Sequence, residues 1–240
     1  MENSLKSPLY IELYGLPGSG KSTLSHIVAK RLRSESFSVE EPSYDIDHQH
    51  PLPKKIKKFA IGCLWVCFHH QQYKLIKEIV EQNGYRGLTA FTMTVNIIQK
   101  MRIYNRQKSA AIVIMDQGLI QACVSLSTNG KKRAIENYEK LLYLMPNAAE
   151  ALRIYIDVDN KTAIERMSKR ISNDSRIEKL KDHGSKLEML QRIRQEMVAI
   201  SEKSRGNGCE YVIMSTCDWE KDAECVYDAI DSFLNKSSRC

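Results

Sequence analysis

Apolar positions in this chain fall into two patterns: short dense runs, and longer stretches with helical spacing. The first dense run, Leu9-Tyr10-Ile11-Glu12-Leu13-Tyr14, stops at Gly15 and predicts a buried strand. A glycine-rich turn follows, then an amphipathic helix from about Ser22 to Ser34. Phe37 to Glu40 predicts a short second strand, stopped by Pro42. Lys54 to Gln82 is helical by its apolar spacing, Gly84 and Gly87 interrupt the pattern, and a further helix is predicted from Thr89 to Arg106. Ala111-Ile112-Val113-Ile114-Met115 is nearly continuous and ends in Asp116, as a strand covered on both faces of a parallel sheet does. Helical segments are predicted at 118–126, 131–144, 161–171, 187–203 and 220–234, and strands at Leu152–Ile156 and Tyr211–Met214. Strands alternating with helices imply a three-layer α/β fold with a mainly parallel sheet. No long polar linker, repeat or low-complexity segment divides the chain, so residues 1–240 are expected to form a single domain.

Composition agrees with that plan and narrows the setting. Hydrophobic residues are 42% of the 240, enough for one buried core. No apolar run has the length needed to cross a bilayer, and the N-terminus lacks a basic start followed by an apolar stretch. The seven cysteines are scattered and odd in number, and read as free thiols, so a reducing, cytoplasmic setting is expected. The net charge of +7 favours anionic partners, either nucleic acid or a nucleotide with a phosphorylated acceptor. The Lys54-Lys55-Ile56-Lys57-Lys58 run reads as a solvated helix face rather than a nucleic-acid footprint, because no RNP-type motif or paired-cysteine finger accompanies it.

The turn after the first strand carries the most specific chemistry. Gly15-Leu16-Pro17-Gly18-Ser19-Gly20-Lys21-Ser22 fits the phosphate-loop pattern G-x-x-x-x-G-K-[ST] at every required place. It follows a predicted strand and opens a predicted helix, as its mechanism requires. Glycines let the backbone close around phosphate oxygens, and the loop amides with the helix N-terminus offer partial positive charge. Lys21 would reach the β- and γ-phosphates, the Ser22 hydroxyl is a hard oxygen ligand for Mg²⁺, and Thr23 is next in line for the α-phosphate. ATP and Mg²⁺ are the implied cofactors. The competing reading is a glycine-rich turn that holds no ligand.

Asp116 would end beside that loop, where a carboxylate can hold the Mg²⁺ water shell or take a proton from an acceptor hydroxyl; the sequence separates neither role from the other. A plain helix cap is the alternative. Signatures of other phosphate-loop classes are missing. Asn160-Lys161-Thr162-Ala163 is not the guanine-reading N-K-x-D, Asp116-Gln117-Gly118 has the wrong spacing for D-x-x-G, and Asp116 lacks the second acid usual in motor ATPases. Arg166 and Arg170 lie four apart on one helix face, with Lys169 close by and Arg176 in a polar segment beyond. A lid of arginines at about 170–190 would stabilise charge on a transferring phosphoryl group; a solvated basic helix is the bland reading.

These residues together resemble the P-loop kinases of the thymidylate kinase-like branch, which includes nucleoside and nucleoside monophosphate kinases. The resemblance rests on GLPGSGKST at 15–23, Glu41-Pro42, the strand ending in Asp116, IYIDVDNKTAIERMSKR at 154–170, Ser175-Arg176-Ile177-Glu178, and Ser215-Thr216 after the last strand. It implies a five-stranded parallel sheet of order 2-3-1-4-5 with a helical lid, and an acceptor held between lid and the 54–107 helices. Lys21, Arg166, Arg170 and Arg176 would surround the transferring group, with an adenine-contacting loop at Ser215-Thr216. One residue departs from the family pattern. Gln117 stands where an arginine commonly follows the strand-ending acid, which puts a thymidylate-type pocket in question and leaves Arg86 or Arg102 as compensating charges. Gln121, one turn beyond Gln117 on the same predicted helical face, is a candidate hydrogen-bonding group for a base or sugar, with a surface or capping role as the alternative. The expected partners are ATP, a small acceptor and a second copy of the chain, without a membrane. The competing functions are a nucleotide-binding regulatory protein with little kinase activity and a nucleic-acid-associated ATPase. Cys63, Cys67, His69 and His70 offer no second ligand pair for zinc, and Tyr73 and Trp65 read as packing residues.

Overall fold

The computed structural model describes residues 8–42, 69–105, 112–169, 177, 180, 182–205, 210–216 and 218–237. Five strands make one sheet: β1 (Leu9–Gly15), β2 (Val39–Glu40), β3 (Ile112–Met115), β4 (Leu152–Asp157) and β5 (Glu210–Met214). Their order is β2-β3-β1-β4-β5 and every pairing is parallel, the arrangement that the sequence resemblance implied. Register aligns Glu12 with Met115 and Gly15 with Ile156, so the chain leaves β1 and β3 side by side at the carboxyl edge. That edge is where open α/β sheets bind ligands.

Nine helices are described: α1 (Lys21–Ser34), α2 (His70–Gln82), α3 (Gly87–Tyr104), α4 (Leu119–Ser127), α5 (Ala134–Tyr143), the single turn α6 (Pro146–Ala149), α7 (Asn160–Ser168), α8 (His183–Arg205) and α9 (Trp219–Ser237). Alternation along β1 sends its side chains to two cores. Ile11 and Leu13 pack with Leu24, Val28 and Leu32 of α1 and with Val226 and Ile230 of α9. Tyr10 and Tyr14 face the second core, built with α2, α3, α4, α5 and α8. Tyr73 packs against this second core, the packing role expected for it.

Several boundaries differ from the pattern reading, each for a local reason. β2 is shorter because the Phe37 amide bonds the Leu32 carbonyl at the end of α1. α5 starts at Ala134 rather than 131 because the Lys131 amide is drawn to the Asn83 carbonyl, and Glu136 accepts from the Arg133 amide. α7 begins one residue early, since the Asp159 carboxylate caps it through the Thr162 amide at 2.9 Å. The expected break survives at Gly84 (φ 90°), while Gly87 opens α3. The helix expected at 187–203 runs from His183 to Arg205, so the last part of the lid range belongs to α8; most of the rest lies outside the described residues, with the Lys54–Phe68 stretch and its cysteines. Among the described residues, no helix is long and apolar enough to cross a membrane.

Candidate functional site

The turn from β1 into α1 is built for close backbone approach. Gly18 (φ 86°) and Gly20 (φ 90°) occupy left-handed conformations that side chains disfavour. A Cβ on Gly18 would lie 2.5 Å from the Ala163 carbonyl oxygen, and one on Gly20 would overlap the Trp219 ring. No side chain caps α1 and its first turn carries no acid, so its N-terminal amides face the loop as an anion site would need. Lys21 is 9% exposed and donates to the carbonyls of Gly15 (3.0 Å) and Leu16 (2.8 Å) and to Ser19 Oγ (3.2 Å). Its ammonium therefore sits over the loop itself.

Asp116 follows β3 directly and reaches the start of α1. The Ser22 hydroxyl donates to Asp116 Oδ2 at 2.5 Å. Asp116 is 8% exposed, and its Oδ1 is buried without a hydrogen-bond partner. A buried carboxylate oxygen left unpaired is costly unless a ligand or proton meets it. A hydroxyl and a carboxylate at the end of a phosphate loop form an all-oxygen donor set, which suits Mg²⁺.

Glu12 on β1 fixes this corner from inside the core. Its carboxyl accepts from the Ile120 amide at 2.7 Å and from the Tyr104 hydroxyl at 2.9 Å. It thereby satisfies the first turn of α4, which leaves Asp116-Gln117-Gly118 little freedom. Burial raises the Glu12 pKa above the ordinary carboxylate value, with the Tyr104 hydrogen bond opposing. Gly118 must lack a side chain, because a Cβ there would overlap Glu12.

On the far side of the loop, the Arg166 guanidinium lies 4.3 Å from the Trp219 ring centroid and donates to the Ser19 carbonyl at 3.4 Å. Arg170 and Arg176 lie outside the described residues. Ser215-Thr216 is held by the fully buried Asp222, which accepts from the Ser215 hydroxyl (2.7 Å), the Thr216 amide (2.7 Å) and the Thr216 hydroxyl (2.8 Å).

A cavity of about 490 Å³ opens from the loop toward α3 and α4. Pro17, Gly18, Lys21 and Ser22 form its loop end, while Asn96, Gln99, Lys100, Gln117 and Gln121 give its polar lining. Gln121 Oε1 is buried and has no hydrogen-bond partner. Neither Arg86 nor Arg102 lines the cavity, and Arg86 instead donates to the Glu81 and Tyr85 carbonyls. Gln117 is exposed at the mouth, before α4 begins, so it and Gln121 share the cavity without sharing a helix.

Behind the loop, Tyr14 stacks on Tyr155 with centroids 5.1 Å apart and donates to Glu210 Oε1. Ser201 of α8 donates to the same oxygen at 3.0 Å. Burial pushes Glu210 up to about 7, against the pull of the Tyr14 and Ser201 hydrogen bonds. Arg194 of α8 pairs with Asp157 and donates to the Val158 carbonyl. These contacts tie the end of β1 to β4, β5 and α8. The pattern reading missed Glu12, Trp219, Asp222 and Glu210. An acid inside an apolar run was the signal available for Glu12; the others sit at ordinary helix or strand ends.

Neither a family model nor a curated protein sequence matches the chain. Solved structures do. Deoxyadenosine kinase from M. mycoides with the products dCMP and a flexible dCDP superposes with a TM-score of 0.53 at 16% identity, over 94% of this chain and 100% of that one. The same enzyme with dCTP gives 0.53 at 18% identity, and with dATP 0.51 at 19%, each over 93% of this chain and 100% of that one. The chain has a P-loop nucleoside kinase-like fold.

Proposed function

We propose that residues 1–240 act as a single-domain, ATP-dependent kinase that transfers the γ-phosphoryl group of ATP to a nucleoside or nucleotide acceptor. The observation that carries the reading is one continuous space: a phosphate loop with a poised lysine opens into a 490 Å³ cavity lined by amides. Pro17, Gly18, Ser19, Gly20 and Thr23 shape or flank the loop whose amides hold the β- and γ-phosphates. Lys21 exchanges its carbonyl partners for phosphate oxygens as the polyanion enters. Ser22 and Asp116 are the residues that would hold Mg²⁺, which neutralises developing phosphate charge when bound. Arg166, already anchored to the Ser19 carbonyl, offers its remaining N–H groups to the transferring group, with Arg170 and Arg176 proposed to join it. The acceptor hydroxyl oxygen bonds to the γ-phosphorus as the bond to the β-bridging oxygen breaks and ADP leaves. Asp116, whose Oδ1 is buried without a hydrogen-bond partner and which lies next in sequence to the cavity-lining Gln117, is proposed as the acceptor for the hydroxyl proton.

The neighbouring deoxyadenosine kinase structures hold deoxynucleotides, which supports an acceptor of that size. Gln121, with its unsatisfied oxygen inside the cavity, is proposed to hydrogen-bond the base or sugar. Screening ADP release against nucleosides, nucleoside monophosphates and unrelated hydroxyl compounds tests the reading. Turnover with a nucleoside or its monophosphate, lost in Lys21→Ala, supports it; turnover confined to unrelated compounds refutes the acceptor class.

A further inference from the structure

The long helix α8 reaches the cavity through Ile193 and is fastened on both sides of that residue. Leu190, Ile193, Met197 and Ile200 are buried at helical spacing and form the face that α8 turns to the core. Ile193 on that face lines the cavity. Arg192 and Glu196, four apart, share one flank of the helix. Arg192 donates to the Ser127 carbonyl at the end of α4 (3.3 Å), and Glu196 accepts from the Ala134 amide at the start of α5 (2.7 Å). Arg194 lies on the other flank, where it pairs with Asp157 and donates to the Val158 carbonyl and to Asn160 Oδ1 (3.2 Å).

Bonds placed this way resist one particular motion. Successive residues are set about 100° apart around a helix, so Arg192 and Arg194 leave α8 on either side of Ile193. A roll of α8 about its axis would carry Ile193 out of the wall, and a roll toward either flank stretches the bonds on the other. The Arg194 flank also fixes where the wall stands relative to the phosphate loop. Asp157 ends β4, whose Ile156 is in register with Gly15 at the start of the loop. Tyr155, which stacks on Tyr14, donates to the same Asp157 oxygen at 3.3 Å. The side chain held in the wall is β-branched and stiff at χ1, so it limits room in the cavity instead of adapting to what enters.

We infer that Ile193 sets a size limit for the acceptor, and that Arg194 is the positioning residue that holds Ile193 in the cavity wall. This rests on the reading of the cavity as the acceptor site. Other residues form the loop end of the cavity, so the pair acts on the choice of acceptor and not on donor affinity. One methylene more or less in an apolar pocket changes kcat/KM by about ten- to two-hundredfold, which makes a wall of this kind measurable.

The test reads a selectivity ratio: kcat/KM for an acceptor divided by kcat/KM for the same acceptor with a propyl group added to its base. The fraction of folded enzyme cancels in that ratio. The panel is the common deoxynucleosides and their monophosphates, each beside its propyl derivative, and the ratio is taken for the compound that wild-type protein uses best. Ile193→Ala should lower the ratio about tenfold by admitting the propyl group, and Ile193→Phe should raise the KM for the parent compound about tenfold. Arg194→Ala should lower the ratio in the same direction, and Arg194→Lys, which keeps a charged bond to Asp157, should recover part of it. Mg·ADP affinity by calorimetry should stay within about twofold of wild type in all four variants. Ile193→Val carries the test, with a smaller shift in the same direction, if the alanine variant does not fold. The size limit is overturned if wild-type protein phosphorylates a panel member and the Ile193 variants leave the ratio unchanged. A lowered melting temperature with an unchanged ratio in Arg194→Ala overturns its positioning role. Failure of wild-type protein to phosphorylate any panel member overturns the acceptor reading itself, and this inference with it.

Discussion

Glu210 offers a test of how the end of β1 is held, because a buried carboxyl makes folding depend on pH. Its pKa rises from 4.5 to about 7, mainly by burial. Protonation is therefore easier in the folded chain than in the unfolded one. Below pH 4.5 the carboxyl is neutral in both states and costs nothing. As pH climbs toward 7 the unfolded chain ionises freely, while the folded chain must bury a charge or hold a proton, and stability falls. Each unit of that window is worth about 1.4 kcal/mol, an upper bound of about 3 kcal/mol; partial exposure reduces it to about 2 kcal/mol. Glu210→Gln keeps an oxygen acceptor for Tyr14 and Ser201 and cannot ionise. Urea unfolding of both proteins from pH 4.5 to 8 isolates this group, since the other carboxyls cancel in the difference. The glutamine variant should gain about 2 kcal/mol relative to wild type across that range. A difference that stays constant with pH would show that Glu210 does not carry a buried charge, and the proposed tie from Tyr14 to β5 would lose its electrostatic basis.

Four further outcomes are expected. Lys21→Ala should reduce turnover by at least about a thousandfold with an unchanged circular dichroism spectrum, because it removes a charge that acts on the transition state. Asp116→Asn should lower kcat about a hundredfold or more while the melting temperature moves little, measured by initial rates and thermal unfolding. Gln121→Leu should raise the KM for the accepted nucleoside or nucleotide about tenfold and leave the KM for ATP alone, measured by initial rates with each substrate varied. Asp222→Ala strips three hydrogen bonds from Ser215 and Thr216 and should cost about 2–4 kcal/mol in urea unfolding.

Local signals in the sequence carried most of the plan. The strand–loop–helix order around Gly15–Ser22 and the apolar run closed by Asp116 are read from neighbouring residues, and the structure places both at one sheet edge. The strand order came from resemblance, since periodicity says nothing about which strands are neighbours. What escaped is tertiary. Glu12 meets Tyr104 across 92 positions, and Glu210 meets Tyr14 across 196, distances at which no spacing rule operates. Trp219 reads as an ordinary first residue of an amphipathic helix; its place against the loop depends on Gly20 and Arg166 arriving beside it. Helix ends moved where a remote carbonyl claimed an amide, as Asn83 does with Lys131.

The most direct test of the kinase reading is product analysis with purified protein, Mg·ATP and a panel of nucleosides and nucleoside monophosphates. Chromatography should show ADP and a phosphorylated acceptor appearing in equal amounts, both absent with Lys21→Ala. Tight uptake of Mg·ATP by calorimetry with no phosphorylated product from any member of the panel would contradict the account and leave a nucleotide-binding protein without this chemistry.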